Sequence, residues 1–186
     1  MRHPGGIMER SRTIDEIRKV LSVIITAFII TTLIPVALGL ILSVPVPEVL
    51  GLISSTFLLQ ANAAFVGVWL GLNALFILLV MTLVEIGIVL GIYGILDAFA
   101  ERSKRIRRLI SSTERKMERY PILSRYGAVT LIFLPMLPVL DLYSSVIIGW
   151  LLRWNRIQSI FFVTLGWILV TGLLLLVAHG IIRLFF

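Results

Sequence analysis

The chain has 186 residues, of which 59% are hydrophobic and 15% charged, with a formal net charge of +7 and no cysteine. A soluble domain is usually nearer half apolar and a quarter charged, and the mean hydropathy of +1.04 points to an integral membrane protein. The missing cysteines exclude disulfides, thiol chemistry and zinc–thiolate sites; the basic excess reads as topology signals and contacts with anionic headgroups, so no nucleic-acid partner is expected.

The opening stretch "MRHPGGIMERSRTIDEIRKV" is polar and mixed in charge. No small-residue cleavage site follows it, so the first apolar segment is expected to stay in the mature chain. Residues 1–18 read as a cytoplasmic arm, with Ile14, Ile17 and Leu21 at helical spacing; they suit either a surface helix or a frayed tail. Residues 19–43 form a transmembrane helix in which Pro35 removes a backbone donor and is expected to introduce a kink. "SVPVPEV" ends it as an interfacial turn. Residues 47–72 are apolar but interrupted by "SST" and "QANAAF". Residues 73–98 form a cleaner transmembrane span. From Glu101 to Arg125 there are nine Lys or Arg and three Glu, with Ile106, Leu109, Ile110 and Met117 at helical intervals. This is a basic amphipathic connector helix, expected to run to Arg119 and to stop at Pro121. Residues 127–152 are apolar but carry Pro135, Pro138 and Asp141, and residues 157–184 form the last transmembrane span. No polar stretch is long enough to fold alone, so 1–186 is one membrane domain.

Charge sets the topology. Short loops rich in Lys and Arg stay in the cytoplasm, which puts both the arm and the connector inside. An even number of crossings must then separate them, yet residues 19–98 hold three candidate segments. The interrupted segment, 47–72, is the one expected to enter and leave on one side. Arg153 and Arg156 after the broken stretch give the same parity for 127–152. Prolines push the preceding residue out of the helical region and favour a turn; in hydrocarbon the freed carbonyls survive only inside protein or a wet cavity. The alternative for each segment is a proline-kinked crossing helix. The expected fold is therefore an all-α integral membrane bundle with two re-entrant, broken-helix hairpins in an inverted repeat, a recurring transporter design. This reading rests on hydropathy and charge, without detectable identity between the halves.

Few side chains in these spans carry chemistry. Glu85 lies in the middle of its span, where a charged carboxylate costs a few kcal/mol on insertion scales. It reads either as a proton-coupling or cation-binding acid or as a protonated acid bonded to a neighbouring helix. Asp141, three residues after Pro138, suits a cation or proton site or the N-cap of the returning half-helix, and Tyr143 offers a ring and a hydroxyl beside it. Gln60 and Asn62 are the matching polar pair in the first hairpin. Gly67, Gly71, Gly87 and Gly91 read as close-packing positions, and Asp97 as a partner for nearby arginines. His179 reads as interfacial, and Trp69, Trp150 and Trp154 as interfacial belt residues. Arg102, Lys104, Arg105, Arg107 and Arg108 are the candidates for headgroup contact and topology. There is no phosphate-cradling glycine loop and no zinc-spaced histidine cluster, so no enzymatic activity, metal or cofactor is expected.

From Arg125 onward the motifs Arg125-Tyr126-Gly127, Pro135, Pro138, Tyr143, Trp150-Leu151-Leu152, Arg156 and Gly166 resemble the small multidrug export protein family of archaea and bacteria. A looser match reaches back to Gln60, about two thirds of the chain. The chain reads "PMLPVLD" where that family usually has "P-L-P-G-T-G", and "QANAAF" where the family's first half carries an acid and an arginine. The layout of two opposed hairpins is also similar to the DedA or VTT membrane proteins, although their hairpin arginine motif "F-x-P-x-x-R" is missing here.

The resemblance implies an exporter of small organic or drug-like solutes in the plasma membrane, with proton coupling through Glu85 or Asp141 as an option. The DedA likeness implies a lipid or lipid-carrier flippase. A third reading is a non-transporting scaffold whose connector binds anionic lipid. The expected partners are the bilayer and a small-molecule or lipid substrate. Five segments make a thin bundle, which leaves room for a homodimer without demonstrating one.

Overall fold

The computed structural model describes residues 5–102, 108, 127–133 and 142–185. Every element among the described residues is helical, and no strand occurs there. Helix α1 is Gly5–Phe28, followed by a π turn at Ile29–Leu33 and by α2, Ile34–Ile41. Helix α3, Val46–Leu59, a 3₁₀ turn at Gln60–Asn62 and α4, Ala63–Trp69, come next. The long helix α5 is Ala74–Arg102. A 3₁₀ stretch at Gly127–Ile132 precedes α6, Leu142–Leu151, and α7, Arg156–Phe185.

Four stretches are long and apolar enough to cross a membrane: Ile17–Ile41, Val46–Trp69, Ala74–Ala98 and Arg156–Gly180. The outside of the bundle is apolar, as a bilayer solvent requires. Leu58 is 82% exposed and Leu176 74%, and exposed apolar patches of this extent mark a surface covered by something other than water.

Helix α5 is the hub. It packs on α1, the π turn, α2, α3, α4, α6 and α7, which explains a sequence apolar on every side. Ile77, Val80, Met81, Val84 and Val89 are fully buried along it. Helix α1 runs antiparallel to it at close range because glycines remove the side chains between them. A Cβ at Gly94 would collide with Val23, one at Gly87 with Thr31, and one at Gly91 would touch Ala27 at 3.5 Å. The packing role expected for Gly67, Gly87 and Gly91 holds. Gly71 does something else: it has φ +74° and nothing within 4 Å of a Cβ, so it makes a turn.

The kink expected at Pro35 takes the form of the π turn just before it. The Ile34 N–H bonds to the Ile29 carbonyl, five residues back, and Pro35 sits in the first turn of α2. A proline ring clashes with the carbonyl four residues before it; a wider turn relieves that clash without ending the helix. The arm is continuous with the first span, since α1 runs without a break from Gly5 to Phe28.

Residues 46–69 are broken at Gln60–Asn62, as expected from the polar interruption. Gln60 has φ +53°, a conformation that costs a non-glycine residue of order 1–3 kcal/mol. The pieces on either side lie next to each other: a Cβ at Gly51 would be 3.8 Å from Leu70, whereas a straight helix would separate these residues by about 28 Å. Gly39 near the end of α2 lies against Val49 of α3, and Phe76 of α5 is 3.8 Å from the same point.

Three helices end with the same cap. Ser43, Gly71 and Arg153 all have positive φ. In each case the next N–H reaches back five residues: Val44 to Gly39, Leu72 to Gly67 and Trp154 to Gly149. This is the Schellman arrangement, which satisfies carbonyls that a helix end leaves bare. Two residues after the second and third of these caps comes an asparagine. Asn73 Oδ1 accepts the Leu75 N–H at 2.8 Å, and Asn155 Oδ1 accepts the Ile157 N–H at 3.0 Å. Each N-caps the long helix that follows.

Candidate functional site

Glu85 lies midway along the stretch Ala74–Ala98 and is fully buried. Thr164 of α7 donates its hydroxyl proton to Glu85 Oε2 at 3.1 Å. Glu85 Oε1 has no hydrogen-bond partner, and neither do Trp167 Nε1 and Thr171 Oγ1. Trp167 is 2% exposed and Thr171 fully buried. Thr164, Trp167 and Thr171 recur at three- and four-residue spacing, which puts them on one face of α7. Helix α7 as a whole packs on the 3₁₀ stretch at Gly127–Ile132, on α5, on α4 and on the 3₁₀ turn at Gln60–Asn62, and Thr164 reaches α5. Buried polar groups in folded proteins are nearly always satisfied by protein or by bound water, so three open polar atoms in one helix interface mark a place suited to a polar guest.

Helix register puts the acid between the levels at which α4 and α6 begin. Gly67 of α4 packs on Ile77 of α5, with a Cβ at 2.9 Å from it. Walking back along α4 to its start at Ala63 reaches the level of Met81. Gly149 of α6 packs on Tyr93, with a Cβ 3.2 Å from the hydroxyl, and α6 runs parallel to α5. Walking back to Tyr143 reaches the level of Gly87. Glu85 falls between these levels. The start of α6 also touches the end of α3: Tyr143 donates its hydroxyl proton to the Phe57 carbonyl at 3.1 Å. That carbonyl belongs to the last turn of α3, whose oxygens lack intrahelical donors.

Gln60 is half-buried at this junction, whereas Asn62 is exposed and makes no capping bond for α4; the two amides expected as a pair thus sit in different surroundings. Pro135, Pro138 and Asp141 lie outside the described residues, as do Lys104, Arg105 and Arg107 and most of the connector at 101–125. Arg102 ends α5, and Arg108 is helical and exposed. Thr164 and Thr171 were not singled out from the sequence. Their 3.6-residue spacing with Trp167 in an apolar run is the signal that would have found them.

At the other end of α5, Asp97 has the arginine partner expected of it and one more. Arg156 Nη1 lies 3.4 Å from Asp97 Oδ2, and Trp150 Nε1 donates to Asp97 Oδ1 at 2.8 Å. The Arg156 guanidinium also lies over the Tyr93 ring, 5.4 Å from its centroid. These contacts fasten α6 and α7 to the end of α5. His179 Nδ1 is 2.9 Å from the Leu175 carbonyl, a bond within its own helix. Among the described residues no group of three or more His, Cys, Asp or Glu is placed to hold a metal.

Among the described residues, fold and site together define a class: helices without strands, four stretches long and apolar enough to cross a bilayer, and a buried acid midway along one of them. The chain matches no family model, no curated protein and no solved structure with which it was compared.

Proposed function

We propose that the chain is a small membrane transporter that moves an organic solute with proton coupling at Glu85, and that residues 46–69 and 127–152 are opposed re-entrant hairpins related as an inverted repeat. The observation that carries this reading is the buried Glu85 carboxyl with its open Oε1, near the level where Tyr143 and Phe57 join the start of α6 to the end of α3. An intramembrane acid facing the bundle interior is a functional group by default, and broken helices meeting at mid-depth form the binding sites of inverted-repeat transporters.

The repeat is supported by a register shared between the halves. Gly67, Leu70 and Asn73 correspond to Gly149, Leu152 and Asn155, each 82 residues on. Each triplet supplies the same cap and the same asparagine N-cap. Each glycine packs on the residue ten positions later, Gly67 on Ile77 and Gly149 on Ser159. Burial follows the same offset: Ala63, Ala64, Gly67 and Val68 are buried in α4, and Ser145, Val146, Gly149 and Trp150 in α6. On the long helices the offset relates Glu85 to Trp167, the two residues with open polar atoms nearest the middle of the bundle.

In this reading the connector and the Asn155 turn face the cytoplasm and the Asn73 turn the opposite side of the plasma membrane. The protein acts by moving a solute rather than by altering it.

The test is proteoliposome flux. The chain is reconstituted with an imposed proton gradient, and uptake of a panel of small organic solutes is followed with internal pH. Solute-dependent proton movement that is lost in Glu85→Gln supports the proposal. Accelerated leaflet exchange of labelled lipid without solute flux favours the flippase, and flux of neither kind favours the scaffold.

A further inference from the structure

A cleft of about 900 Å³ opens between α1 and α5 at the end of the bundle where α7 begins. Its position is set by three span ends. Ile17 starts the first apolar stretch, Ala98 ends that of α5 and Arg156 starts that of α7, and all three line the cleft. It therefore lies at the depth where hydrocarbon gives way to headgroups. Its walls combine two chemistries. Leu21 and Ile95 are apolar and exposed, while Arg18, Lys19 and Arg156 bring positive charge. The acid among the described lining residues, Asp97, is already engaged by Arg156 and Trp150. Arg18 and Lys19 are thus left as the charge that an incoming anion meets, and both are exposed.

We propose that this cleft is a binding site for one anionic phospholipid of the surrounding bilayer. The phosphate sits between Arg18 and Lys19, with Arg156 behind it, and an acyl chain follows the exposed apolar face of α1 past Leu21, Ile24 and Phe28. Charge complementarity selects an anion, since basic side chains at the interface attract acidic headgroups. Shape selects a lipid over free phosphate. The volume is that of a site for a drug-sized ligand, and a bare phosphate would leave the apolar walls unused. Long basic side chains suit this role because their stems lie along hydrocarbon while their ends reach the phosphate. The site is separate from the Glu85 region, and its occupancy does not depend on the transport reading.

The experiment uses the full chain, delipidated in a neutral detergent and titrated with phosphatidylglycerol or with phosphatidylcholine of the same acyl chains. Bound lipid is counted by native mass spectrometry. Phosphatidylglycerol is expected to be retained at one copy per chain, in preference to phosphatidylcholine. Arg18→Gln/Lys19→Gln weakens that retention about thirtyfold, the effect of removing two interfacial cations. The charge-preserving Arg18→Lys/Lys19→Arg pair restores it, and circular dichroism of both pairs matches the parent. Arg153→Gln, at the exposed turn before α7 and outside the cleft, leaves retention within about twofold of the parent. Three results would each overturn the proposal: unchanged retention in the double glutamine variant, an equal loss in Arg153→Gln that marks a diffuse basic surface, or displacement of the lipid by inorganic phosphate alone.

Discussion

Tyr143 and Phe57 are 86 residues apart, and the hydroxyl of one donates to the backbone carbonyl of the other at 3.1 Å. The bond joins the start of α6 to the last turn of α3. Tyr143→Phe removes the donor and keeps the ring. The carbonyl loses this donor, and we expect a stability loss of about 1 kcal/mol. Thermal unfolding in detergent reads that loss, and solute flux in proteoliposomes should fall more steeply than stability does.

The Glu85–Thr164 pair separates chemistry from packing. Glu85→Gln keeps an acceptor for the Thr164 hydroxyl and keeps the side-chain volume. It should fold normally, with proton-coupled flux reduced at least about tenfold, the scale of one lost general acid or base. Thr164→Val leaves the buried carboxyl without its hydrogen bond, which costs about 1–3 kcal/mol. A Glu85→Gln variant that transports as well as the parent would remove the acid from the mechanism.

Helix approach gives a graded series at glycine. A Cβ at Gly166 would run into the backbone carbonyl of Ile132, which cannot swing away, whereas one at Gly67 meets the side chain of Ile77 and one at Gly172 meets nothing. Gly166→Ala should therefore be the most destabilising, by about 2–3 kcal/mol or more. Gly67→Ala is intermediate, and Gly172→Ala is neutral or stabilising by about 0.5–1 kcal/mol. The ranking is read from melting temperatures in one detergent.

Gln60 holds a left-handed backbone at the break. Gln60→Gly relieves about 1 kcal/mol or more of strain and should raise the melting temperature if the side chain matters only to the backbone. Gln60→Val adds a β-branch at the same φ and should lower it. A glycine variant that is stable but inactive in flux would assign the amide to the solute.

Much of this arrangement was legible in the residues. Gln60 and Asn62 stand out because two amides interrupt an otherwise apolar run, and the chain does break there. Asp97 announced its arginine through the rule that charges at a membrane boundary pair. Other features were hidden for physical reasons. Pro35 says that a helix must yield but not how, and the π turn at Ile29–Leu33 shows the form it takes. The shared register of the halves was hard to see because its few identities are scattered, Thr82 with Thr164 among them, and the caps and contacts at Gly67, Asn73 and their counterparts show only in coordinates. Thr164 and Thr171 read as ordinary membrane threonines until α7 is seen to turn them toward the buried acid and its surroundings. Asn62 matched Gln60 in type, yet the 3₁₀ turn separates their environments.

The most direct measurement is the accessibility of single cysteines, which the native chain permits because it has none. Val46→Cys and Asn73→Cys flank the first broken unit, and Ser103→Cys and Asn155→Cys flank the second. With a membrane-impermeant thiol reagent on sealed vesicles, Val46 and Asn73 should label from one side, and Ser103 and Asn155 together from the other. Labelling of Ser103 and Asn155 from opposite sides, or of Val46 and Asn73 from opposite sides, would make that unit a bent crossing helix and contradict the paired-hairpin transporter.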